Sequence, residues 1–135
     1  MLTIPKHIYQ QMLEQAEAEA PMEACGILAG RDSRVERFYG MTNADNSSDH
    51  FMMEPKEQFA AAKDIRKEGL EMLAVCHSHP QTPARPSEED GRLALTENVI
   101  YVILSLQDSA NPDVKGFIIE NGSVTEVPIT VESIQ

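Results

Sequence analysis

Residues 70–90 read Leu70-Glu71-Met72-Leu73-Ala74-Val75-Cys76-His77-Ser78-His79-Pro80-Gln81-Thr82-Pro83-Ala84-Arg85-Pro86-Ser87-Glu88-Glu89-Asp90. The apolar run 70–76 has the length of a strand, and it leads directly into His77-Ser78-His79-Pro80. Strand side chains alternate between faces, so His77 and His79 share one face while Cys76 and Ser78 share the other. Two imidazoles on one face can bind one metal ion. H-x-H alone is a weak metal signal, however, and two surface histidines ahead of a proline loop fit the same residues. Pro83 and Pro86 stiffen 81–86 into an extended loop. Ser87-Glu88-Glu89-Asp90 then has the signature of a helix start, with Ser87 as N-cap and Asp90 three positions on, opening a short helix to residue 95. Capping alone accounts for that pair, although Glu88 and Glu89 already complement the helix dipole. A stiff loop that returns from two histidines to a helix start is also well placed to deliver a third ligand. Two histidines and one aspartate leave a fourth tetrahedral position open, as in catalytic zinc sites, where the metal lowers the pKa of water to about 7.

Outward from this stretch, the pattern predicts an α/β domain, a mixed and mostly antiparallel sheet with helices packed on it. Ile8, Met12, Leu13, Ala16 and Ala20 make a helical stripe over 6–20, ended by Pro21. The run 24–29 reads as a buried strand closed by Gly30, with 35–41 as its antiparallel partner. Residues 42–49 read as a polar loop and 51–53 as a short edge strand. Pro55 opens a helix to about residue 67, with Phe59, Ala62 and Ile65 in helical register, and Gly69 stops it. The β-prone run 98–106 predicts a central strand, and Asn121-Gly122 predicts a hairpin between 114–120 and 123–129.

The 135 residues suffice for one domain with a core, and 41% hydrophobic against 24% charged residues is a globular composition. Twenty-two acidic against 11 basic residues give a formal net charge of −11. Such a surface repels phosphate backbones and anionic membranes, which argues against nucleic acid as a partner. No apolar run has the ~20 residues of a membrane span, and the N-terminus lacks the apolar stretch of a secretory signal. The expectation is a cytoplasmic protein in which Cys25 and Cys76 are buried free thiols.

A zinc peptidase also needs an acid that is not a ligand, to carry the proton. Glu23 is the carboxylate flanked by core-forming residues on both sides, and burial would raise its pKa towards a shuttling range. An exposed glutamate at a strand edge fits the same pattern, and sequence physics alone does not bring residue 23 to residue 77.

His77-Ser78-His79-Pro80, followed by residues 81–86 and then Ser87-x-x-Asp90, resembles the JAMM motif of the JAB1/MPN/Mov34 metallopeptidases. Pro21-Met22-Glu23-Ala24-Cys25-Gly26-Ile27-Leu28-Ala29-Gly30 resembles that family's first motif. Asn43 and Phe51-Met52-Met53-Glu54-Pro55 resemble its loop and helix lead-in near the cleft. The resemblance covers residues 1–135 in order, as a single JAMM/MPN domain, and implies the JAB1/MPN fold, which is cytidine-deaminase-like. It implies that His77, His79 and Asp90 ligate zinc and that Glu23 moves the proton from the attacking water to the leaving amine. Ser87 would hydrogen-bond the oxyanion. If Asp90 is a ligand, it should not also close the capping box with Ser87. The family commonly has a bulky residue where this chain has Cys76, a change expected to affect packing alone.

The short chain resembles the compact prokaryotic branch, in which the bond cleaved follows the C-terminal Gly-Gly of a ubiquitin-like sulfur carrier protein, the CysO-cysteine type being one example. The implied partner is such a carrier as substrate, and a homodimer stays compatible with the sequence. A non-catalytic MPN interaction module with a structural metal would need a fourth protein ligand, and none lies near the motif, His7 and His50 being distant. A zinc deaminase would carry H-x-E and P-C-x-x-C, which are absent. A general small-peptide or amide hydrolase stays open.

Overall fold

The computed structural model describes residues 1–93 and 98–132. Its elements are β1 (Leu2–Ile4), α1 (Lys6–Glu19), β2 (Cys25–Arg31), β3 (Arg34–Met41), α2 (Pro55–Lys67), β4 (Glu71–His79), α3 (Glu88–Leu93), β5 (Ile100–Ser105), β6 (Asp113–Glu120), β7 (Ser123–Val127) and β8 (Ile129–Val131). The strands form one sheet in the order β7-β6-β5-β4-β2-β3-β1-β8. It is mixed: β4 pairs parallel with β5, and β1 parallel with β3 and β8, while the other neighbours are antiparallel. The metal-motif strand β4 is therefore central, and from Ala74 to His79 it is buried on both faces.

Each face is covered by one long helix. α1 presents Ile8, Met12 and Ala16, spaced by four, to Leu28, Val35, Ala74, Cys76, Val102 and Leu104. Burying a side chain the size of Ile8 or Met12 contributes about 1.5–3 kcal/mol. α2 covers the opposite face, where Ala61 and Ile65 meet Cys25, Ile27, Val75, Tyr101 and Ile103. Cys25 and Cys76 are buried free thiols on opposite faces. The hairpin at Asn121-Gly122 forms as predicted, with φ values of +49° and +81° that suit a type I′ turn.

Two expectations need correction. Phe59 is 68% exposed and Ala62 also faces solvent, while Ala61 and Ile65 are buried. The Ala60-Ala61-Ala62 run carries little face preference, so polar anchors decide the rotation. Glu57 binds Thr42, and Asp64 binds the Tyr39 hydroxyl. Residues 51–53 form no strand, but make one isolated bridge, Asn43 to Met53. The short helix at the motif is described over Glu88–Leu93, and its expected continuation to residue 95 lies outside the described residues.

Candidate metal centre

β4 carries His77 and His79 to its C-terminal end with both rings on the α2 face. The β2–β4 register pairs Cys25 with His77. One pair further on, the Ala24 N–H donates to Ser78 Oγ (2.8 Å) and the Ser78 N–H donates to the Ala24 carbonyl (2.9 Å). Continuing that register sets Glu23 opposite His79, on the same face. Antiparallel pairing thus closes the gap between residues 23 and 77 that the sequence left open.

His77, His79 and Asp90 are buried together. His77 Nε2 lies 3.2 Å from His79 Nε2 and 3.2 Å from Asp90 Oδ1, and His79 Nε2 lies 2.9 Å from Asp90 Oδ2. Bonds of 2.0–2.1 Å to a tetrahedral zinc would set ligand atoms about 3.3 Å apart, close to this spacing. The proton inventory agrees. His79 Nδ1 is 2.9 Å from the Pro83 carbonyl, which accepts only, so Nδ1 holds the proton and neutral His79 turns a lone pair towards Asp90. Lone pairs converging on one point require a proton or a cation between them. Among the described residues no fourth His, Cys, Asp or Glu joins the cluster, so the donor set is open on one side. The residues present fit a catalytic rather than a closed structural metal site.

Electrostatics follow from burial and these contacts. Burial opposes the Asp90 charge, but the close His77 and His79 rings and the Ser87 N–H outweigh it, holding its carboxyl well below the usual range. Burial pushes His77 down by more than Asp90 raises it. For His79 burial is outweighed by Asp90, by the Pro83 carbonyl and by the Glu23 charge, and its pKa rises. Glu23 is 2% exposed, and its Oε1 has no hydrogen-bond partner. Burial pushes its carboxyl up to about 8, opposed by His79 and assisted by the Asp90 and Asp49 charges.

The helix start carries a second role for Asp90. Asp90 does close the capping box: its N–H donates to Ser87 Oγ (3.0 Å) and its Oδ2 accepts the Ser87 N–H (2.9 Å). A carboxylate has lone pairs enough to do this while still facing both histidines. Ser87 Oγ accepts in that box, which leaves its hydroxyl proton free to donate elsewhere, and the side chain is exposed.

Three contacts escaped the sequence reading. Ser78, which alternation placed only on the face opposite the histidines, pins Ala24. The Phe51 ring stacks on His77 at 4.7 Å, beside a Nδ1 atom that is buried without a partner. Asn43 ties the loop after β3 to Glu23. A narrow cleft lined by His50, Phe51, His77, Asp90 and Tyr101 flanks the triad on this side. On the other, the proline loop is held by His79 at Pro83 and by Ser105 Oγ at the Thr82 carbonyl.

A family model described as prokaryotic homologs of the JAB domain matches residues 5–117, which include every one of these site residues. The chain belongs to that family. Its JAB domain has the JAB1/MPN fold, and the chain is homologous to JAMM metallopeptidases. It is 32% identical to the CysO-cysteine peptidase of Mycobacterium tuberculosis over 133 residues, which cover 97% of this chain and 91% of that protein. It is 31% identical over 132 residues to a desampylase of Pyrococcus furiosus, with the same 97% and 91% coverage. A protein of Desulfitobacterium hafniense solved in solution superposes with a TM-score of 0.90 at 46% identity, covering 98% of this chain and 93% of that one. No helix among the described residues is long and apolar enough to cross a membrane.

Proposed function

We propose that this JAB domain is a zinc-dependent peptidase that cleaves the peptide or isopeptide bond after the C-terminal Gly-Gly of a ubiquitin-like sulfur carrier protein. The observation that carries the reading is a buried Glu23 carboxyl, with no hydrogen-bond partner for its Oε1, close enough to an open His-His-Asp set to interact with His79 and Asp90. His77, His79 and Asp90 would hold the zinc, which when bound supplies a Lewis acid and acidifies water to a pKa of about 7. Glu23, with a pKa near working pH, accepts the proton of the attacking water and returns it to the leaving amine. Ser87 has a hydroxyl proton left to donate to the developing oxyanion. The carrier assignment is supported by the names of the relatives, a CysO-cysteine peptidase and a desampylase. The loops 42–54 and 81–86, tied to opposite sides of the site, suit an extended tail, and glycine lets a backbone lie close to a metal and its walls.

Most binding energy would come from the carrier's folded body, so the free tail should be a poor substrate. The test is kcat/KM of the zinc-loaded protein on a carrier extended beyond Gly-Gly and on the tail peptide alone, with mass spectrometry locating the cut. Cleavage after the second glycine, with strong preference for the folded carrier, is expected. Equal efficiency on the peptide points instead to a general small-peptide hydrolase, and a cut elsewhere refutes carrier processing.

A further inference from the structure

The Glu23 carboxyl is only as well placed as the backbone that bears it, and that backbone is gripped from two sides. On the metal side, Ser78 takes both polar groups of Ala24. On the other, the loop after β3 takes both polar groups of Glu23: its N–H donates to the Ser47 carbonyl (2.7 Å), and its carbonyl accepts from Asn43 Nδ2 (3.1 Å). Asn43 is 7% exposed. Its Nδ2 also donates to the His50 carbonyl (3.0 Å), and its Oδ1 accepts the N–H groups of Asp45 and Met52, each at 3.0 Å. The amide thus uses two donors and two acceptor sites, which aspartate, with no donors, and alanine cannot supply. A side chain that spans the loop and reaches Glu23 makes the loop's conformation part of the geometry of the site.

We propose that Asn43 is a positioning residue for Glu23: by tying the loop 42–54 to the Glu23 carbonyl, it fixes where the carboxyl stands beside His79 and Asp90. The inference rests on Glu23 as proton carrier, as proposed above. A tail lying against this loop therefore also steadies the group that moves the proton.

The test uses zinc-loaded Asn43→Asp and Asn43→Ala, each alone and combined with Glu23→Gln. Asn43→Asp keeps the shape and the acceptor oxygen but turns a carboxylate towards two carbonyls. Misplacement by about 1 Å costs on the order of 10²-fold, so kcat should fall about 10- to 100-fold, with zinc per chain unchanged and KM changed less. In the Glu23→Gln background the same change should alter kcat by less than about two-fold, because Asn43 acts through a group already removed. Independently of activity, amide hydrogen exchange at Glu23 should quicken at least about ten-fold, while the Ala24 amide, held by Ser78, keeps its protection. Unchanged exchange at Glu23 overturns the clamp. Faster exchange with unchanged kcat leaves Asn43 a loop staple and overturns the positioning role, as does a full kcat loss that persists beside Glu23→Gln. If Asn43→Asp does not fold, Asn43→Ala, in which water can take the vacated places, decides by the same measurements. Full turnover in Glu23→Gln alone refutes the reaction proposed above and with it the positioning role, while the exchange arm still shows whether the clamp exists.

Discussion

Stripping the protein of metal and replacing Glu23 by glutamine isolates the cost of keeping a carboxyl buried beside the triad. Glu23 is 2% exposed, and burial raises its pKa from 4.5 to about 8. The unfolded carboxyl ionises near 4.5, so between there and about 8 the unfolded chain sheds a proton that the folded chain keeps. Folding therefore loses stability as pH rises through that window, by about 1.4 kcal/mol per pH unit, and the loss levels off once the folded carboxyl ionises too. The whole window is worth at most about 5 kcal/mol, and water entering the cleft reduces that to roughly 3–5 kcal/mol. Glutamine does not ionise. The stability of Glu23→Gln minus that of the wild type should thus grow from pH 4.5 to a plateau above about pH 8, in favour of the variant. Urea unfolding of both proteins in chelator at four pH values across this range measures it. A difference that stays flat would make Glu23 an ordinary carboxyl and remove the reason for giving it the proton. Added zinc should reduce the slope for the wild type, since a divalent cation at the triad favours the carboxylate.

Further outcomes follow from the same geometry. Elemental analysis should find about one zinc per chain after reconstitution, and His77→Ala should lose most of it; a wild type that binds none refutes the metal reading. Ser87→Ala removes the hydroxyl that caps Asp90 N–H, so it should cost about 1 kcal/mol in unfolding experiments. Its turnover should also drop about 10- to 100-fold, less than that of Glu23→Gln; lost stability with unchanged kinetics would leave Ser87 a cap alone. Gly26→Ala should lower stability by about 1–3 kcal/mol, because a Cβ there would lie 2.7 Å from the Tyr39 carbonyl oxygen, a backbone atom that cannot step aside. An unchanged melting temperature would mean that β2 and β3 separate more easily than their pairing suggests.

The elements with strong local signals were legible in the residues themselves. Ile8, Met12 and Ala16 announce a helical face, Asn121-Gly122 announces a hairpin, and alternation puts His77 and His79 on one side of a strand. β1 and β8 were not legible: each has three residues, too few for a periodicity, and their pairing joins segments far apart in sequence. The rotation of α2 escaped because it is set by Glu57 and Asp64 reaching other elements, and not by the helix's own pattern. In the site, residues adjacent in sequence could be read together, as with Ser87 and Asp90. Glu23 needed the β2–β4 register, and Asn43 needed the path of a loop, neither of which has a local signature.

The pairing of β1 with β8 has a consequence for how the protein is made. Leu2 donates its N–H to the Pro128 carbonyl, and Glu132 donates to the carbonyl of Ile4, so strands nearly the whole chain apart complete one another. A ribosome releases residues 2–4 well before residues 129–131. During that interval β1 can pair only with β3, leaving its other edge, with Leu2 and Ile4 beside it, open to strands of neighbouring nascent chains. Closing so long a loop is also slow relative to local pairing. Edge protection in this domain is therefore a late event in its synthesis.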